Sequence, residues 1–255
     1  MSAGLYPPTE AQRLAERQRP AGPVVLWQRW ENLLFLHWHW EAATVQSTLP
    51  TGLTVDTHDG WAWVGIVPVF MRDVRPRFVP PVPLVSDFLE LNVRTYVYDA
   101  WGRPGIYFYS LDCNQPLAVE TARRLLYLRY EHADIAAGIN DQGWINFTSR
   151  RKGSAEAATF RYHPIPPAAE AASGTAEFFL LERYRLFTAD EAGERLHAIR
   201  VCHAPYQVQP AQVYEWSESP LRQAGLDPRG RAPDHICAAQ TVEAETFAPE
   251  RLESS

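Results

Sequence analysis

The chain has 255 residues, of which 46% are hydrophobic and 21% are charged, as in ordinary soluble globular proteins. This length allows one large β-rich domain or two small domains with a sizeable core. The apolar runs are too short to span a membrane, the net charge is -6, and the basic stretch at residues 150–152 is isolated, so we expect neither a membrane nor a nucleic acid as a partner.

The first 23 residues are polar, and Leu14 is the one large apolar residue of a short helix predicted over residues 9–19. A helix with so little to bury predicts a mobile N-terminal arm. No internal repeat or change of composition marks a linker in the remaining chain. We therefore expect a single domain over residues 24–248, followed by a short tail at residues 249–255.

The first part of this domain carries strand signals. Residues 33–40 have apolar side chains at both odd and even positions, which predicts a strand that is covered on both faces. A hairpin turn at residues 58–60 precedes a long strand over residues 61–70. The prolines and arginines of residues 71–83 then predict an extended surface loop.

The clearest pattern is the alternation in residues 89–98, which puts leucine and valine on one face and polar residues on the other. Residues 106–112 are the predicted antiparallel partner, and a helix begins at Pro116. Further predicted strands cover residues 133–139, 144–149, 157–162, 196–203 and 235–247, with a helix over residues 175–183 and a short helix or turn at residues 220–225. About nine strands and two or three helices predict a mainly β (α+β) domain, with an antiparallel sheet that is closed or nearly closed.

Six segments carry a family resemblance: LLFLHW (33–38), LPTGL (49–53), DGWAWVG (59–65), ELNVRTYV (90–97), SLD (110–112) and ERYR (182–185). They resemble the motifs of the YqjF-like family of unknown function, which is placed in the acetoacetate decarboxylase-like superfamily. The resemblance covers nearly the whole chain after the arm. It implies a β-barrel-like fold of the acetoacetate decarboxylase-like type, with a ligand cavity inside.

The sequence departs from that superfamily at its catalytic lysine. Acetoacetate decarboxylases carry a Gly-x-Pro-Lys-Lys stretch, and the corresponding stretch here places Tyr130 and Glu131 where the lysines would be. A Schiff base requires a primary amine, which neither side chain has. The chain has one lysine, Lys152, in a turn-like segment that we expect in solvent. An imine-forming decarboxylase is therefore disfavoured, and no cofactor is expected.

Glu90, Asn92 and Arg94 share the polar face of the alternating strand, which meets either solvent or a polar cavity. In a cavity, Arg94 would hold a carboxylate and Glu90 would act as a general acid or base if burial raises its pKa. Outside a cavity, the two residues would form a plain cross-strand ion pair.

Five more residues are candidate ligand contacts, each with a structural alternative. Ser110 and Asp112 end a strand, where turn and capping chemistry is equally expected. Tyr130 would donate a hydrogen bond to a ligand or fill the core, and Arg123 would bind an anion or edge a helix. His37 lies in a His-x-His pair that two metal ligands could use, but no third ligand has suitable spacing. We therefore expect no metal and treat His37 as a pocket residue.

Three cysteines and the absence of a secretion signal favour reduced thiols in a cytoplasm. Three functions remain open. The first is non-covalent binding of a small organic acid in an internal cavity. The second is a lyase, isomerase or hydrolase that uses Glu90, and the third is an interaction protein with a solid core that uses the 71–83 loop. The sequence leaves a homo-oligomer open.

Overall fold

Strands dominate the computed structural model, which describes residues 6–190 and 195–252. The helices within these ranges are α1 Glu10–Ala15, α2 Ala42–Gln46, α3 Pro116–Leu126, α4 Ala176–Leu181 and α5 Ser219–Gln223. The strands within them are β1 Val24–Glu31, β2 Leu33–Trp40, β3 Leu53–Val55, β4 Thr57–His58, β5 Trp61–Pro76, β6 Phe88–Asp99, β7 Pro104–Cys113, β8 Tyr130–Ile139, β9 Ile145–Arg151, β10 Ala158–Pro164, β11 Ala169–Glu170, β12 Arg185–Ala189, β13 Leu196–His203, β14 Gln207–Gln209, β15 Ala211–Glu215, β16 His235–Ala239, β17 Val242–Phe247 and β18 Glu250–Arg251. No helix of the described part has both the length and the apolar character that crossing a membrane requires.

Seven strands pair into a closed ring. Its order is β1, β5, β6, β7, β12, β13 and β17, and β17 pairs again with β1. The predicted antiparallel pairing of β6 with β7 is confirmed, but the sheet is a mixed ring rather than a purely antiparallel one. Strand β7 runs parallel to both β12 and β8. Neither partner follows β7 through a tight hairpin, so no turn signal in the sequence fixes its direction.

Strand β6 is covered on both faces, because the sheet separates two apolar clusters. Leu91 and Val93 pack into the cluster outside the ring, under β9, β10 and α5. The alternate side chains of β6, Glu90, Asn92 and Arg94, point into the ring, where they face walls from β1, β5, β7 and β13. An alternating strand in this position presents its polar face to the interior of the domain and not to solvent.

The surface loop predicted over residues 71–83 begins later than expected. Strand β5 continues to Pro76, because β1 pairs with it through Leu26–Pro76 and Trp27–Arg75. Proline is tolerated at this strand end, where no ladder hydrogen bond depends on its nitrogen. The exposed loop begins at Arg77. Within the expected tail, Glu250–Arg251 forms β18 and pairs with β13.

The N-terminal segment lies against the domain through charged contacts. Helix α1 has a capping box between Thr9 and Gln12 and buries none of its residues. Arg13 contacts Asp56 at 2.6 Å, and Arg17 contacts Glu182 at 3.0 Å. This segment, which has little apolar surface to bury, therefore contacts the domain through ion pairs. Residues 1–5 of the predicted arm lie outside the described ranges.

Gly105 allows the ring to close between β7 and β12. A Cβ atom at this position would lie 2.6 Å from the carbonyl oxygen of Arg185 and 2.7 Å from the ring of Phe187. We expect Gly105→Ala to lower the free energy of unfolding by about 3 kcal/mol, since backbone atoms cannot move aside as a flexible side chain would. Chemical denaturation would measure the loss. Gly138→Ala on β8 is the matched control, because no atom lies within 4 Å of its added Cβ. Equal stability of the two variants would contradict this account.

Candidate functional site

The ring encloses a pocket of about 100 Å³. Most of its walls are aliphatic or aromatic, with Val67 and Val69 from β5, Phe108 from β7 and Ile199 from β13 among them. Its polar side chains gather mainly on one side, where Glu90, Asn92 and Arg94 of β6 face the same space. An apolar cavity with a few convergent polar groups is the usual form of a small-molecule site.

Glu90 and Tyr130 form a short, buried pair at one end of this polar row. The Tyr130 hydroxyl donates a 2.5 Å hydrogen bond to Glu90, and the Asn92 amide donates a longer bond of 3.3 Å. Burial raises the pKa of Glu90, the two hydrogen bonds lower it, and the net shift is upward. Burial and the Glu90 charge also raise the pKa of Tyr130 well above its ordinary value. Tyr130 therefore stays a neutral phenol that donates to Glu90, and the raised pKa lets the Glu90 carboxyl keep a proton to a higher pH than usual.

Arg94 is a buried cation that faces the pocket. It is only 7% exposed, and no Asp or Glu of the described residues forms an ion pair with it. Its guanidinium lies over the rings of Phe35 and Tyr96, and its Nη2 donates a 3.4 Å bond to the Leu180 carbonyl oxygen. A charge in such a place is costly unless a partner of opposite sign occupies the pocket.

Arg183 brings a second guanidinium to the pocket wall. It follows α4, donates from Nε to the Phe179 carbonyl oxygen, and pairs through Nη1 with Asp56 at 2.8 Å. Burial lowers its pKa to about 10, although Asp56 opposes this shift. Unlike Arg94, it is neutralised by the protein. Sequence analysis placed Arg183 in the ERYR motif without making it a candidate site residue, so this pocket residue was missed.

Three polar atoms of the lining residues have no hydrogen-bond partner. They are Asn92 Oδ1, Arg94 Nε and Arg183 Nη2, each of them shielded from solvent. Native proteins leave few buried polar groups unsatisfied, and each such group needs an explanation. Three on one pocket are consistent with a site that a polar ligand completes.

The structure brings four of the predicted site residues to the pocket wall and leaves four outside it. Glu90, Asn92, Arg94 and Tyr130 line the pocket, whereas the other four do not. Ser110 and Asp112 face the opposite side of β7, where Arg151 donates a 2.8 Å bond to each of them. Strand pairing explains this, because Asp112 lies opposite Leu91 of β6, whose side chain points away from the ring.

Arg123 anchors the end of α3 at a distance from the pocket. Its Nε donates to the Tyr130 carbonyl oxygen at 2.6 Å, and Nη2 pairs with Glu131 at 2.9 Å. This arrangement fixes the backbone from which the Tyr130 side chain enters the pocket. Arg123 therefore contacts Tyr130 through the main chain and does not reach the pocket itself.

His37 is fully buried behind the pocket wall. Its Nε2 lies 2.7 Å from the Tyr96 hydroxyl, and its Nδ1 lies 3.0 Å from Nδ1 of His235. Burial, His235 and Arg94 together lower its pKa well below the ordinary value. Within residues 6–190 and 195–252, no three His, Cys, Asp or Glu side chains are grouped as a metal site requires.

The only lysine side chain of the chain does not line the pocket. Lys152 is exposed in a turn after β9, and its amine pairs with Asp134 at 2.5 Å. Tyr130 is the residue that enters the pocket at the start of β8, while Glu131 is half-exposed. The pocket therefore offers carboxyl, phenol, amide and guanidinium groups.

The Glu90 carboxyl should make the stability of the protein depend on pH. Its folded-state pKa is raised above 4.5, so its contribution is fully present below that pH and is lost as the pH rises through the folded pKa. We expect Glu90→Gln, which avoids this loss, to unfold at a higher urea concentration than wild type at about pH 7 and to show no such gain below about pH 4. Urea titrations at both pH values would measure this, and a gain of equal size at both would contradict it.

Residues 27–243 match a family model, DUF2071, described as an uncharacterized conserved protein. A relative, the uncharacterized protein YqjF of Bacillus subtilis strain 168, is 36% identical to this chain over 195 residues. That alignment covers 76% of this chain and 79% of the relative.

Solved structures with a similar fold have low sequence identity. An acetoacetate decarboxylase-like enzyme from Sphingomonas wittichii RW1 has a TM-score of 0.60 at 13% identity, covering 92% of this chain and 95% of that one. The enduracididine biosynthesis enzyme MppR, complexed with pyruvate, has a TM-score of 0.61 at 12% identity, with coverages of 92% and 93%. Acetoacetate decarboxylase from Legionella pneumophila has a TM-score of 0.59 at 14% identity, with coverages of 92% and 88%. The chain therefore has the fold of acetoacetate decarboxylase-like proteins. It belongs to the DUF2071 family, as the resemblance of its motifs to the YqjF-like family had indicated.

Proposed function

We propose that the protein binds a small organic acid non-covalently in the pocket of the ring. The observation that carries this proposal is Arg94, a guanidinium that is buried, faces the pocket and lacks an anionic partner among the described residues. A bound carboxylate would supply the missing charge. It would accept hydrogen bonds from a planar, forked donor that matches its own geometry.

The other polar groups of the wall support an acid with a second polar function. Arg183 Nη2 and Asn92 Oδ1 are a free donor and a free acceptor on the same pocket. The Tyr130–Glu90 pair adds a proton donor at the same wall. A hydroxyl or carbonyl oxygen near the carboxylate of the ligand would satisfy these groups, whereas a purely aliphatic acid would leave them unpaired.

The dimensions of the pocket favour a ligand of a few carbon atoms. Its volume of about 100 Å³ is several times the ~10–15 Å³ that a single water molecule needs. Such a space supports ligand binding over the alternative of an interaction protein with a solid core. The aliphatic walls then favour the carbon skeleton of the ligand.

A second candidate function is acid–base catalysis by Glu90. Burial raises the pKa of this carboxyl, and the Tyr130 hydroxyl contacts it at 2.5 Å. A carboxyl with a raised pKa keeps its proton to a higher pH than usual, which suits a general acid that protonates a bound ligand. Imine chemistry is not part of this proposal, because Lys152, the one lysine, does not line the pocket.

Thermal-shift screening with small acids would test the proposal. Acetate, lactate and pyruvate form the panel, and acetamide and propanediol serve as uncharged controls of similar size. We expect at least one acid to raise the melting temperature of the wild type, since ligands that bind only the folded state stabilise it. The uncharged molecules should have no effect.

Two variants make this screen specific to Arg94. Arg94→Met should abolish the shift that an acid produces in the wild type. Arg124→Met should preserve the shift, because the Arg124 side chain is exposed on α3 and does not line the pocket. An acid that stabilises Arg94→Met as much as wild type would show that Arg94 does not hold the carboxylate.

A further inference from the structure

A line of four polar side chains in contact runs from behind the pocket wall to the protein surface. The Tyr96 hydroxyl lies 2.7 Å from Nε2 of His37, and the two histidine Nδ1 atoms of His37 and His235 are 3.0 Å apart. Nε2 of His235 then lies 3.4 Å from Glu177, whose side chain is 41% exposed. Tyr96 and His37 have no exposed surface. The line therefore connects a fully buried phenol with a carboxylate at the surface.

Strand pairing and one glycine place the two imidazoles together. His37 of β2 lies directly opposite His235 of β16, where side chains on the same face of an antiparallel pair come close together. Gly65 of β5 leaves the space for the His37 ring, because a Cβ atom there would lie 2.7 Å from its Cδ2. Gly65 of the DGWAWVG motif is thus in close contact with His37 of the LLFLHW motif.

The exposed end of the line determines where each proton lies. Burial acts against the charge of Glu177, but its own backbone N–H and His235 lower its pKa, so the carboxylate is ionised. The proton of His235 then lies on Nε2, facing the ionised Glu177 at 3.4 Å, and Nδ1 of the neutral His235 accepts from Nδ1–H of His37. Nε2 of His37 is left to accept from the Tyr96 hydroxyl. With both histidines neutral, every bond of the line then has one donor and one acceptor.

The buried end of the line contacts both arginines of the pocket. The guanidinium carbon of Arg94 lies 5.8 Å from the Tyr96 ring centroid, and that of Arg183 lies 5.2 Å from it. Burial is the largest cause of the low His37 pKa, and the charges of His235 and Arg94 are the next two. For His235, burial lowers the pKa while Glu177 raises it. The charge of Arg94 therefore acts on the histidine pair.

Few other ionisable groups face this pair. Tyr96 and Arg94 approach it from β6, Glu177 from α4, and Arg183 lies beyond Tyr96. The thiol of Cys237, next but one to His235 on β16, is buried, and its pKa is raised to a value at which it stays neutral. β5 contributes the uncharged Gly65. Arg94 is thus the nearby charge that a ligand in the pocket would cancel.

We propose that binding of an anion at Arg94 draws one proton from solvent onto the His37–His235 pair. This inference rests on the proposed function of the pocket. The added proton occupies Nε2 of His37, which then donates to the Tyr96 oxygen, while the Tyr96 O–H rotates away from the imidazole. No other bond changes, and the pair carries one positive charge in place of the Arg94 charge that the ligand neutralises. Ligand affinity should consequently rise with acidity, by at most about tenfold per pH unit for one linked proton.

Nitrogen NMR of the imidazoles, titrated with pH, tests the coupling without any ligand. His37→Gln and His235→Gln assign the two signals among the eight histidines. Near neutral pH, the wild type should show the His37 proton on Nδ1 and the His235 proton on Nε2. Arg94→Met, which removes the charge as an anion would neutralise it, should shift the pKa of the pair upward. Arg94→Gln should do the same, and Arg124→Met, at an exposed position outside the pocket, should not. An unchanged pKa in both Arg94 variants, or a His37 proton on Nε2, would overturn the proposal.

Calorimetry with lactate tests the linked proton directly. Titration of the wild type in two buffers with different heats of ionisation should report uptake of a proton on binding, and His37→Gln should report none. Lactate that binds without proton uptake would overturn the proposal. If lactate fails to bind, that result counts against the proposed function for this acid, whereas the NMR comparison of wild type with the Arg94 variants still decides the coupling.

Discussion

Asp56→Asn should destabilise the protein more than any other single substitution considered for this site. The Asp56 carboxylate is fully buried, accepts two bonds from Arg13 at 2.6 and 2.7 Å, and accepts a third from Arg183 at 2.8 Å. Asparagine keeps the size but removes the charge, and it turns one acceptor into a donor that faces a guanidinium. Loss of one partner from a buried ion pair costs about 3–5 kcal/mol, because the remaining charge is left without compensation.

Chemical denaturation would measure this loss, and a melting curve should show a fall of roughly 10 °C for a domain of this size. Asp134→Asn is the matched control, since Asp134 also pairs with two basic residues but is half-exposed. Exposed pairs contribute about 0–1 kcal/mol, so the control should unfold almost as the wild type does. Similar losses in the two variants would mean that burial of Asp56 is not what makes its ion pairs matter.

The same carboxylate makes a contact with the N-terminal segment that sequence patterns do not detect. Sequence patterns detect apolar burial, and residues 9–19 offer almost none. The segment docks because Arg13 and Arg17 reach carboxylates that are themselves buried elsewhere in the fold. An isolated arginine on a polar helix has no local signal for such a partner, which lies 43 residues away for Arg13.

The strand that forms the site was predictable for the opposite reason. Alternation in residues 89–98 placed Glu90, Asn92 and Arg94 on one face without any knowledge of the partners. Whether that face meets solvent or a cavity depends on closure of the ring, and closure requires the parallel pairing of β7 with β12. Such long-range pairing leaves no periodic trace in the sequence. For the same reason Arg183, which enters the pocket from beyond α4, was seen in a motif but not as a pocket residue.

Ser110 and Asp112 show how a small irregularity in a strand changes the face that its side chains occupy. The register between β6 and β7 shifts between Val93 and Arg94, so β7 carries one extra residue there. Phe108 and Leu111 consequently both line the pocket, although they are three residues apart. A bulge of this kind reverses which face the following side chains occupy. Ser110 and Asp112 therefore face Arg151 instead of a ligand.

Arg94→Met should stabilise the unliganded protein while it abolishes acid binding. The substitution removes a buried charge that no described carboxylate neutralises, together with a 3.4 Å bond to Leu180 and contacts with Phe35 and Tyr96. The flexible methionine side chain can refill the space between the two rings. Replacement of buried ionic groups by apolar ones of similar volume often adds about 1–4 kcal/mol, and we expect a gain near the lower end of this range.

Arg183→Met is the informative comparison, because it removes the other guanidinium of the same pocket. Asp56 would keep Arg13 but lose its fully buried partner, so we expect the free energy of unfolding to fall by about 3 kcal/mol. Urea denaturation of both variants without ligand gives the two signs directly. Opposite signs would mean that the fold needs Arg183 and that Arg94 is retained for what it binds, since functional groups are often kept at a cost in stability. If Arg94→Met were instead destabilised as much as Arg183→Met, Arg94 would be a structural residue and the pocket would lose its anion-binding group.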